Sequence, residues 1–335
     1  MAVAPRDRAR SEEGGELRLT LFDGERTKPL DGLDDIPRRI GGSSLLWIDA
    51  GVPSDDDARR IAEALDLDED AVTLLTGNGR RTTRFHDGGH FVAVTLEAPE
   101  AETVDSVVEV DCLIGRRWVV TSHARPIAVL DEFTEIAEGS GRVGELDGPS
   151  FLATLVAWVL KAYDTAFDHL EEELEVLDED AMRGKGAPEA HIESLIVLRR
   201  RAGKLRRALT THRAALLALT HPELEALGDE ASAQRFQELL SSYETTLQTA
   251  RDTRASIVSS FDVVIARTGQ RTNDVMKVLT LASVILLPGS LLAGVMGMNF
   301  KVGLFTHPSL FWVVLAVIAL IAIVTLAAAR ARDWI

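Results

Sequence analysis

The sequence predicts an α+β membrane protein with an N-terminal α/β domain, a helical hairpin, a long stalk helix and two C-terminal transmembrane helices. The first observation is a charge asymmetry. Residues 1–262 contain 50 of the 52 Asp and Glu and 30 of the 36 Lys and Arg, whereas residues 263–335 contain two acids and six bases. The second is a pair of long uncharged stretches near the C-terminus. An acidic body joined to an apolar, slightly basic tail indicates a soluble part and a membrane part. The acidic excess also argues against a nucleic-acid partner, because binding to phosphates needs a basic face.

The third observation is that short strand-like segments end near residue 148. They are rich in β-branched and aromatic residues and are bounded by Gly, Asp or Pro. A helix is predicted from Ser54 to about Leu65, because Ser54 is a favourable N-cap and three acids fill the first turn. We therefore expect a cytoplasmic α/β domain over residues 1–148, with about the first 16 residues disordered. The predicted strands are 17–22, 44–48, 90–96, 106–114 and 118–122.

Residues 149–277 show helical periodicity. Apolar residues at helical spacing predict one helix over 150–182 and a second over 189–220, with a turn at 184–188 between them. A third helix begins near Asp229, and no proline follows until Pro288. That is roughly 90 Å of helix. A helix of this length needs neighbours along its sides, which predicts packing on the hairpin and oligomerisation.

Two stretches are long enough to cross a bilayer. Residues 278–300 are 23 residues without a charge, and residues 302–329 are 28 more. A transmembrane helix needs roughly 20 apolar residues. Because Thr306-His307-Pro308-Ser309 is typical of a turn, the second span is expected at about 310–329. The membrane domain is therefore predicted over 278–329, with a basic tail over 330–335.

The distribution of bases predicts the orientation in the membrane. One base, Lys301, lies in the connecting loop, and the others lie at the outer ends of the two spans. The positive-inside rule then places both termini in the cytoplasm and the loop outside. The N-terminal residues lack an apolar core typical of a signal peptide. The single cysteine, Cys112, fits a reducing compartment. We expect a multi-pass protein of the inner (plasma) membrane, with the lipid bilayer as a partner. The outer bases are Arg267, Arg271, Lys277, Arg330 and Arg332.

One segment carries a family resemblance. Residues 272–280 read TNDVMKVLT, Pro288 follows, and residues 297–300 read GMNF. This run closely resembles the CorA family of magnesium transporters. The similarity is strongest over about 255–300, and the order of domains fits along the whole chain. The tripeptide Gly297-Met298-Asn299 is a weak signal alone and a specific one at the end of a first span.

The resemblance implies a homopentamer with a funnel-shaped cytoplasmic part, in which five stalk helices line one axial pore. It also implies that Gly297, Met298 and Asn299 form the selectivity filter. Mg²⁺ loses its water reluctantly, so neutral amide oxygens at Asn299 can bind the hydrated ion without trapping it. The resemblance also assigns a row of residues on the stalk helix to the pore lining. For the apolar residues of that row, the alternative is ordinary helix packing. For the polar ones, it is a solvent-exposed helix face. The implied pore-lining residues are Asp262, Asn273, Met276, Leu279, Leu287 and Ser290.

The resemblance further implies a regulatory cation site between neighbouring subunits, with one acid on the stalk and one in the α/β domain. Glu238 matches the stalk position, and Glu100 is assigned to the other. Glu97, Glu102 and Asp105 remain alternatives to Glu100. Carboxylates are the hard oxygen ligands that Mg²⁺ prefers. The implied regulation is closure of the funnel by bound cation.

The loop after the filter departs from the family pattern. Residues 301–309 contain Lys301 and no carboxylate, where typical members carry an acidic loop. The ZntB branch, linked to Zn²⁺, also lacks that acidic loop but differs in the tripeptide. The cation is therefore left open among Mg²⁺, Co²⁺, Ni²⁺ and Zn²⁺, each as substrate and regulator. His307 is a candidate ligand for the softer ions and equally a polar surface residue.

Three other interpretations compete with a cation channel. A Zn²⁺ transporter on the same fold, coupled to protons, is the alternative function. A membrane-anchored scaffold would carry no ions and would tolerate Asn299→Ala. An enzyme is not indicated, because no P-loop, cofactor loop or nucleophile–base pair stands out. The segment from His86 to His90 resembles a metal ligand pair, and we predict a turn before a strand there instead.

Overall fold

A computed structural model of the protein describes most of the chain, and the account below concerns those residues. They are 17–23, 26–36, 40, 44–76, 85–100, 106–125, 127, 130, 147–221, 223–224, 230–298 and 309–332. Contacts between Cα positions divide the chain into two compact units, Met1–Leu177 with Glu193–Ser260, and Asp178–Ile192 with Phe261–Ile335. The domain boundaries proposed from the sequence remain predictions, and the expected disorder of the first residues falls outside the described ranges.

The first unit contains a seven-stranded sheet of order β2-β1-β3-β7-β6-β5-β4. Strands β3 and β7 pair in parallel, and the other neighbours pair antiparallel. Each of the five predicted strands is confirmed, with ends that differ by at most three residues. The strands are β1 (Leu17–Asp23), β2 (Arg26–Leu30), β3 (Ser44–Ala50), β4 (Phe85–Asp87), β5 (Phe91–Pro99), β6 (Val107–Gly115) and β7 (Trp118–His123).

Helices α1 (Asp55–Leu65) and α2 (Glu69–Leu75) cover one face of this sheet. The cap predicted for α1 is confirmed, since the Ser54 hydroxyl accepts a hydrogen bond from the Asp57 amide at 3.1 Å. Ile61 of α1 and Leu75 of α2 are fully buried in the same cluster as alternate residues of the strands. The α/β domain therefore has a two-layer core on this side.

The opposite face of the sheet packs against the first long helix, α3 (Gly148–Arg183). The rings of Trp47 and Phe151 lie 5.1 Å apart between their centroids. The Trp47 indole also donates to the Thr121 hydroxyl at 3.0 Å, so its polar atom is satisfied in the core. Burial on both faces explains why every residue of β5 is buried.

A buried set of hydrogen bonds, called the joint below, connects β5 to the long helices. The Glu97 amide donates to His212 Nε2 at 2.8 Å, and the Tyr163 hydroxyl donates to the Glu97 carbonyl at 2.9 Å. His212 Nδ1 lies 3.1 Å from the Leu209 carbonyl, which can only accept. The proton therefore sits on Nδ1, and the buried imidazole is the neutral tautomer with Nε2 as acceptor.

The long helices follow the predicted order. They are α3, α4 (Pro188–Leu219), α5 (Glu230–Met296) and α6 (Ser309–Ala331). Helices α3 and α4 form the expected antiparallel hairpin, and Arg201 of α4 contacts both oxygens of Glu173 at 2.9 and 3.1 Å. Helix α5 continues through Pro288 for 67 residues, or about 100 Å.

Helix α5 packs through one stripe. Phe236, Tyr243, Ala250, Ile257 and Val264 follow one another at intervals of seven residues, and all are buried. A strict seven-residue repeat keeps one side of a helix against its neighbours over many turns. The neighbours that the sequence analysis expected along this helix are therefore present within the chain for its N-terminal half.

Candidate functional site

The C-terminal half of α5 contains the residues that the sequence analysis assigned to a pore. Six of them lie within the described part of the helix, and all six are exposed in the single chain. The exposed fraction is 54% for Met276, 58% for Leu279 and 68% for Leu287. The other three are Asp262, Asn273 and Ser290. Exposure of large apolar side chains is compatible with a pore, with lipid and with contacts to other copies, so it does not by itself assign them to a pore.

Of the candidate pore residues, Asp262 and Asn273 lie on the side of α5 opposite its buried stripe. At about 100° per residue, Asp262 and Asn273 fall roughly half a turn from Val264. Met276 and Leu287 fall about a third of a turn away, and Leu279 and Ser290 less than a quarter. The side that bears Val264 packs within the chain, whereas the side that bears Asn273 is open. One helix therefore presents a face for intrachain packing and a separate face that another molecule or solvent must cover.

Hydroxyl groups on this half of α5 bond to their own helix. Ser290 Oγ donates to the Leu286 carbonyl at 2.8 Å, and Thr280 and Ser283 make the same four-residue contact to Met276 and Leu279. Such bonds satisfy the donor and leave the oxygen lone pairs able to accept. Ser290 is exposed and can therefore contribute an acceptor at the surface of α5.

Helix α5 ends at the start of the candidate filter. The Gly297 amide donates to the carbonyls of Ala293 and Gly294 at 3.0 and 3.2 Å, and the Met298 amide donates to Val295. A Cβ added to Gly297 would lie 3.4 Å from the Ala293 oxygen, an ordinary contact. Within one chain the backbone does not require glycine here. Asn299 lies outside the described residues, as do Lys301 and His307 of the predicted loop.

Helices α5 and α6 both contain an apolar stretch long enough to span a bilayer. No residue is buried in the most apolar 18 residues of either helix. A Cβ added to Gly289 of α5 would lie 3.5 Å from Cγ2 of Ile318 of α6, so the two helices approach closely there. Close approach at small residues is typical of helix packing in membranes. Length and apolarity therefore allow both helices to span a bilayer.

The candidate regulatory acids have different surroundings. Glu238 is exposed on α5, whereas Glu100 is half-buried and lies 3.6 Å from Arg125. Glu97, an alternative to Glu100, is buried and its backbone belongs to the joint with His212. A carboxylate on a buried residue is a poor ligand for a cation at the surface. Glu102 and Asp105, the other two alternatives, lie outside the described ranges.

The predicted turn before a strand is present at residues 88–90, whereas His86 and Asp87 belong to β4, which the sequence analysis did not predict. His86 Nε2 lies 3.1 Å from Asp68 Oδ2, and His90 packs against the ring of Phe91. Burial alone would raise the pKa of Asp68, but hydrogen bonds from the Ala71 amide and from His86 lower it below its ordinary value. Asp68 is thus a paired carboxylate that also caps α2.

Within the described ranges, no group of three or more His, Cys, Asp or Glu side chains is arranged to hold a metal ion. Cys112 is fully buried, and burial, followed by the charges of Asp111 and Asp49, raises the pKa of its thiol. A buried thiol of this kind is unreactive. A metal site shared between subunits would need ligands from a second chain, so the single chain leaves the Glu100 and Glu238 assignment a prediction.

Comparisons with known proteins agree on one family. The family model of the CorA-like Mg²⁺ transporter protein matches residues 42–329. The cobalt/magnesium transport proteins CorA of Methanocaldococcus jannaschii and Thermotoga maritima are 23% and 24% identical to the chain. The alignments cover 87% and 88% of this chain and 92% and 84% of those proteins. The zinc transport protein ZntB of Pectobacterium atrosepticum is 23% identical over 76% of each chain.

The solved structures show the same fold. The complete structure of the CorA magnesium transporter from M. jannaschii superposes with a TM-score of 0.76 at 20% identity, over 95% of this chain and 98% of that one. At this identity the similarity concerns the fold. It includes the N-terminal α/β part, the long helix and the C-terminal apolar helix. Because the family model covers most of the sequence, this chain belongs to the CorA family.

Proposed function

We propose that the protein is a divalent metal cation channel or transporter that carries Mg²⁺ into the cell, with Co²⁺ and Ni²⁺ as further substrates. The observation that carries this proposal is the exposed face of the C-terminal half of α5, where polar Asp262 and Asn273 are followed by Met276 and Leu279. Family membership supports it, since the CorA relatives are named as cobalt/magnesium transport proteins. Five copies packed through this face would form one axial pore.

The proposed filter is the ring of Gly297, Met298 and Asn299 at the outer end of α5. Mg²⁺ is held through its hydration shell, so the Asn299 amide oxygens would accept hydrogen bonds from ion-bound water. Weak binding at several sites is what conduction requires. Rings of Met276, Leu279 and Leu287 would form apolar constrictions that close the pore by dewetting.

The membrane potential is the proposed driving force. A divalent ion moving inward through a potential of about 100 mV releases about 4.6 kcal/mol, twice the value for a single charge. Both termini and the α/β domain lie in the cytoplasm under this proposal, which the bases at the outer ends of α5 and α6 support. The membrane is the inner (plasma) membrane.

Cytoplasmic cation is proposed to close the pore by bridging Glu238 of one subunit and Glu100 of its neighbour. Exposure of Glu238 and partial exposure of Glu100 support this role. The ion pair between Glu100 and Arg125 is long, at 3.6 Å, and exposed pairs of this kind contribute little, so a cation can displace it.

Zn²⁺ transport is the second candidate function. The match to ZntB supports it, and so does the loop after the filter, where Lys301 stands and no carboxylate occurs. His307 in that loop is a ligand type that suits Zn²⁺. Under this alternative, transport is coupled to protons and is sensitive to a pH gradient.

Uptake into proteoliposomes tests both functions. Mg²⁺, Co²⁺, Ni²⁺ and Zn²⁺ are offered to the purified protein with an inside-negative potential, with and without a pH gradient. We expect Mg²⁺ uptake driven by potential alone, and a loss of roughly tenfold or more in Asn299→Ala, since about 1.4 kcal/mol of barrier is tenfold in rate. Gln248→Ala, an exposed amide in the N-terminal half of α5, is the matched control.

The outcomes separate the candidates. Zn²⁺ uptake that requires a pH gradient supports the alternative, and absence of uptake for all four ions contradicts both. The same assay with Mg²⁺ inside the vesicles tests regulation. Glu238→Gln should abolish inhibition by internal Mg²⁺, and unchanged inhibition would refute the assignment of Glu238.

A further inference from the structure

The second compact unit has an open cavity of about 230 Å³ between the loop joining α3 to α4 and the stretch of α5 before its apolar half. We call it the hairpin-tip cavity. The loop contributes residues 181–188, α4 contributes His191, and α5 contributes residues from Val264 to Asp274. At about 30 Å³ of liquid volume per water, this space corresponds to roughly seven or eight waters. It can therefore hold a small charged group.

The lining of the cavity is cationic, although the chain carries a net charge of −16. Lys185, Arg267 and Arg271 all line it, and Asp274 is the acid among the lining residues. Asp274 is already paired, because Lys277 Nζ lies 3.1 Å from its Oδ1. Lys185 is also paired, since its Nζ lies 3.3 Å from Asp180 Oδ1, so Arg267 and Arg271 supply the excess positive charge. The local excess of positive charge indicates an anionic ligand.

Two of these cations continue the packing stripe of α5. The stripe that buries Phe236, Tyr243 and Val264 at seven-residue intervals reaches Arg271 one interval later. Arg267 lies four residues earlier on the same side of the helix. Both arginines are exposed, so the buried repeat of α5 ends at Val264 and two accessible cations follow it.

The guanidinium groups retain unused donors. Arg267 Nη2 donates to the Met182 carbonyl at 3.0 Å, which caps the end of α3 with one of its five N–H groups. Arg271 forms no ion pair within the part of the chain that the structure describes. Planar guanidinium groups match phosphate oxygens in pairs, which favours phosphate over a simple halide.

The loop holds Lys185 at the cavity in a defined conformation. Gly184 and Gly186 have φ angles of +68° and +79°, a region that glycine adopts without strain. A Cβ added to Gly186 would lie 3.0 Å from Cε1 of His191, so the loop packs closely on that ring. His191 is buried, and its Nδ1 lies 3.0 Å from the Ala187 carbonyl. The site is therefore formed before a ligand arrives.

We propose that the hairpin-tip cavity binds a phosphate group through Lys185, Arg267 and Arg271. Its position favours the headgroup of an anionic phospholipid as the source. Arg271 precedes Val278, the first residue of the apolar stretch, by seven residues, which is about 10 Å along the helix. Basic residues at that distance from a membrane span attract anionic lipids. A soluble phosphate offers the same chemistry. The proposal does not depend on which ion the protein transports.

Thermal unfolding of the full-length protein in nanodiscs tests the site. The protein is prepared in phosphatidylcholine, in mixtures with rising phosphatidylglycerol, and in phosphatidylcholine with added inorganic phosphate. A ligand that binds the folded state raises the melting temperature with its concentration. Arg271→Gln and Lys185→Gln should each lower the apparent affinity roughly tenfold, as expected for loss of a charged hydrogen bond. Arg254→Gln removes a positive charge at an exposed position elsewhere on α5 and should leave the apparent affinity unchanged.

Each outcome decides the proposal. Stabilisation by phosphatidylglycerol that depends on both cations supports a lipid site, and stabilisation by inorganic phosphate with the same dependence supports a soluble ligand. An equal response in Arg271→Gln, Lys185→Gln and the wild type overturns the site, as does no response to either probe. If a glutamine variant melts far below the wild type in phosphatidylcholine, Arg271→Lys replaces it. That variant keeps the charge, loses the planar fork and should show a weaker, measurable response.

Discussion

The chain has two regions that differ in whether their large apolar side chains are buried. In the sheet, the hairpin and the N-terminal half of α5, side chains such as Phe91, Phe167 and Phe236 are fully buried within one chain. In the C-terminal half of α5 and in α6, side chains of similar size are exposed, and Leu286 keeps 65% of its surface. The two regions share one continuous helix, so helix formation does not distinguish them.

The difference shows where each region finds its partners. Burial of apolar surface gains about 25 cal/mol per Å², so a folded body in water covers it internally. A helix that is apolar on every side, as α6 is, belongs in lipid or in a larger assembly. The first region is complete in one chain. The second leaves its apolar surface uncovered within one chain, and the proposed function would cover that surface with a bilayer and other copies.

The largest expected effect is the difference in stability loss when a large apolar side chain is truncated to alanine in each region. Phe236→Ala should lower the free energy of unfolding by about 3–5 kcal/mol, because it leaves a cavity in the packed stripe of α5. Leu286→Ala on the same helix should change it by less than about 0.5 kcal/mol, since the side chain has no dense protein packing to lose. Denaturant unfolding in detergent, followed by circular dichroism, measures both. A cost above about 2 kcal/mol for Leu286→Ala would place that residue in a packed interface instead.

A smaller effect tests the polar interior of the first region, using the two tyrosines of the chain. Both side chains are fully buried. The Tyr163 hydroxyl donates to the Glu97 carbonyl at 2.9 Å, whereas the Tyr243 hydroxyl has no partner among the described residues. Tyr163→Phe should cost about 1–2 kcal/mol of stability, and Tyr243→Phe should cost nothing or stabilise slightly. Equal losses in the two variants would contradict the joint at β5.

Much of the first region was predictable because its sequence signals are local. The Ser54 cap, the alternating strands and the long helical periods each determine their own segment, and the structure confirms them. Strand β2 was missed, since Lys28 and Pro29 are unfavourable in strands, and Pro29 is tolerated there because β2 is an edge strand. Strand β4 was missed because three residues carry too little pattern to identify.

The candidate site was predictable in part. The row from Asp262 to Ser290 follows from resemblance, and its exposure in one chain is compatible with that role. Burial of Glu97 could not be read from sequence, because the joint with His212 links residues 115 positions apart. The hairpin-tip cavity was missed for the same reason, since Lys185 lies far from Arg271 in sequence. The four-residue spacing of Arg267 and Arg271 was the feature of the sequence that could have indicated a cationic site there.

The smallest expected effect is a dependence of stability on pH in the first region. Burial raises the pKa of Asp164 on α3, a hydrogen bond from Thr246 opposes this, and the charge of Asp168 adds to the rise. A carboxyl group with a raised pKa in the folded protein favours folding when protonated. This contribution is fully present below the pKa of the unfolded chain and is lost as the pH rises through the folded value.

Asp164→Asn should therefore stabilise the protein at neutral pH, because it removes a charge that the folded state disfavours and keeps an acceptor for Thr246. Because the side chain is half-buried, the gain should stay below about 1 kcal/mol. Unfolding midpoints measured from acidic to neutral pH should fall less steeply for Asp164→Asn than for the wild type. Asp168→Asn, at an exposed neighbour on the same helix, should reduce the slope to a smaller extent. Asp168 acts through its charge on Asp164, so the double variant should show the same slope as Asp164→Asn alone. A further reduction of the slope in the double variant would assign the pH dependence to another group.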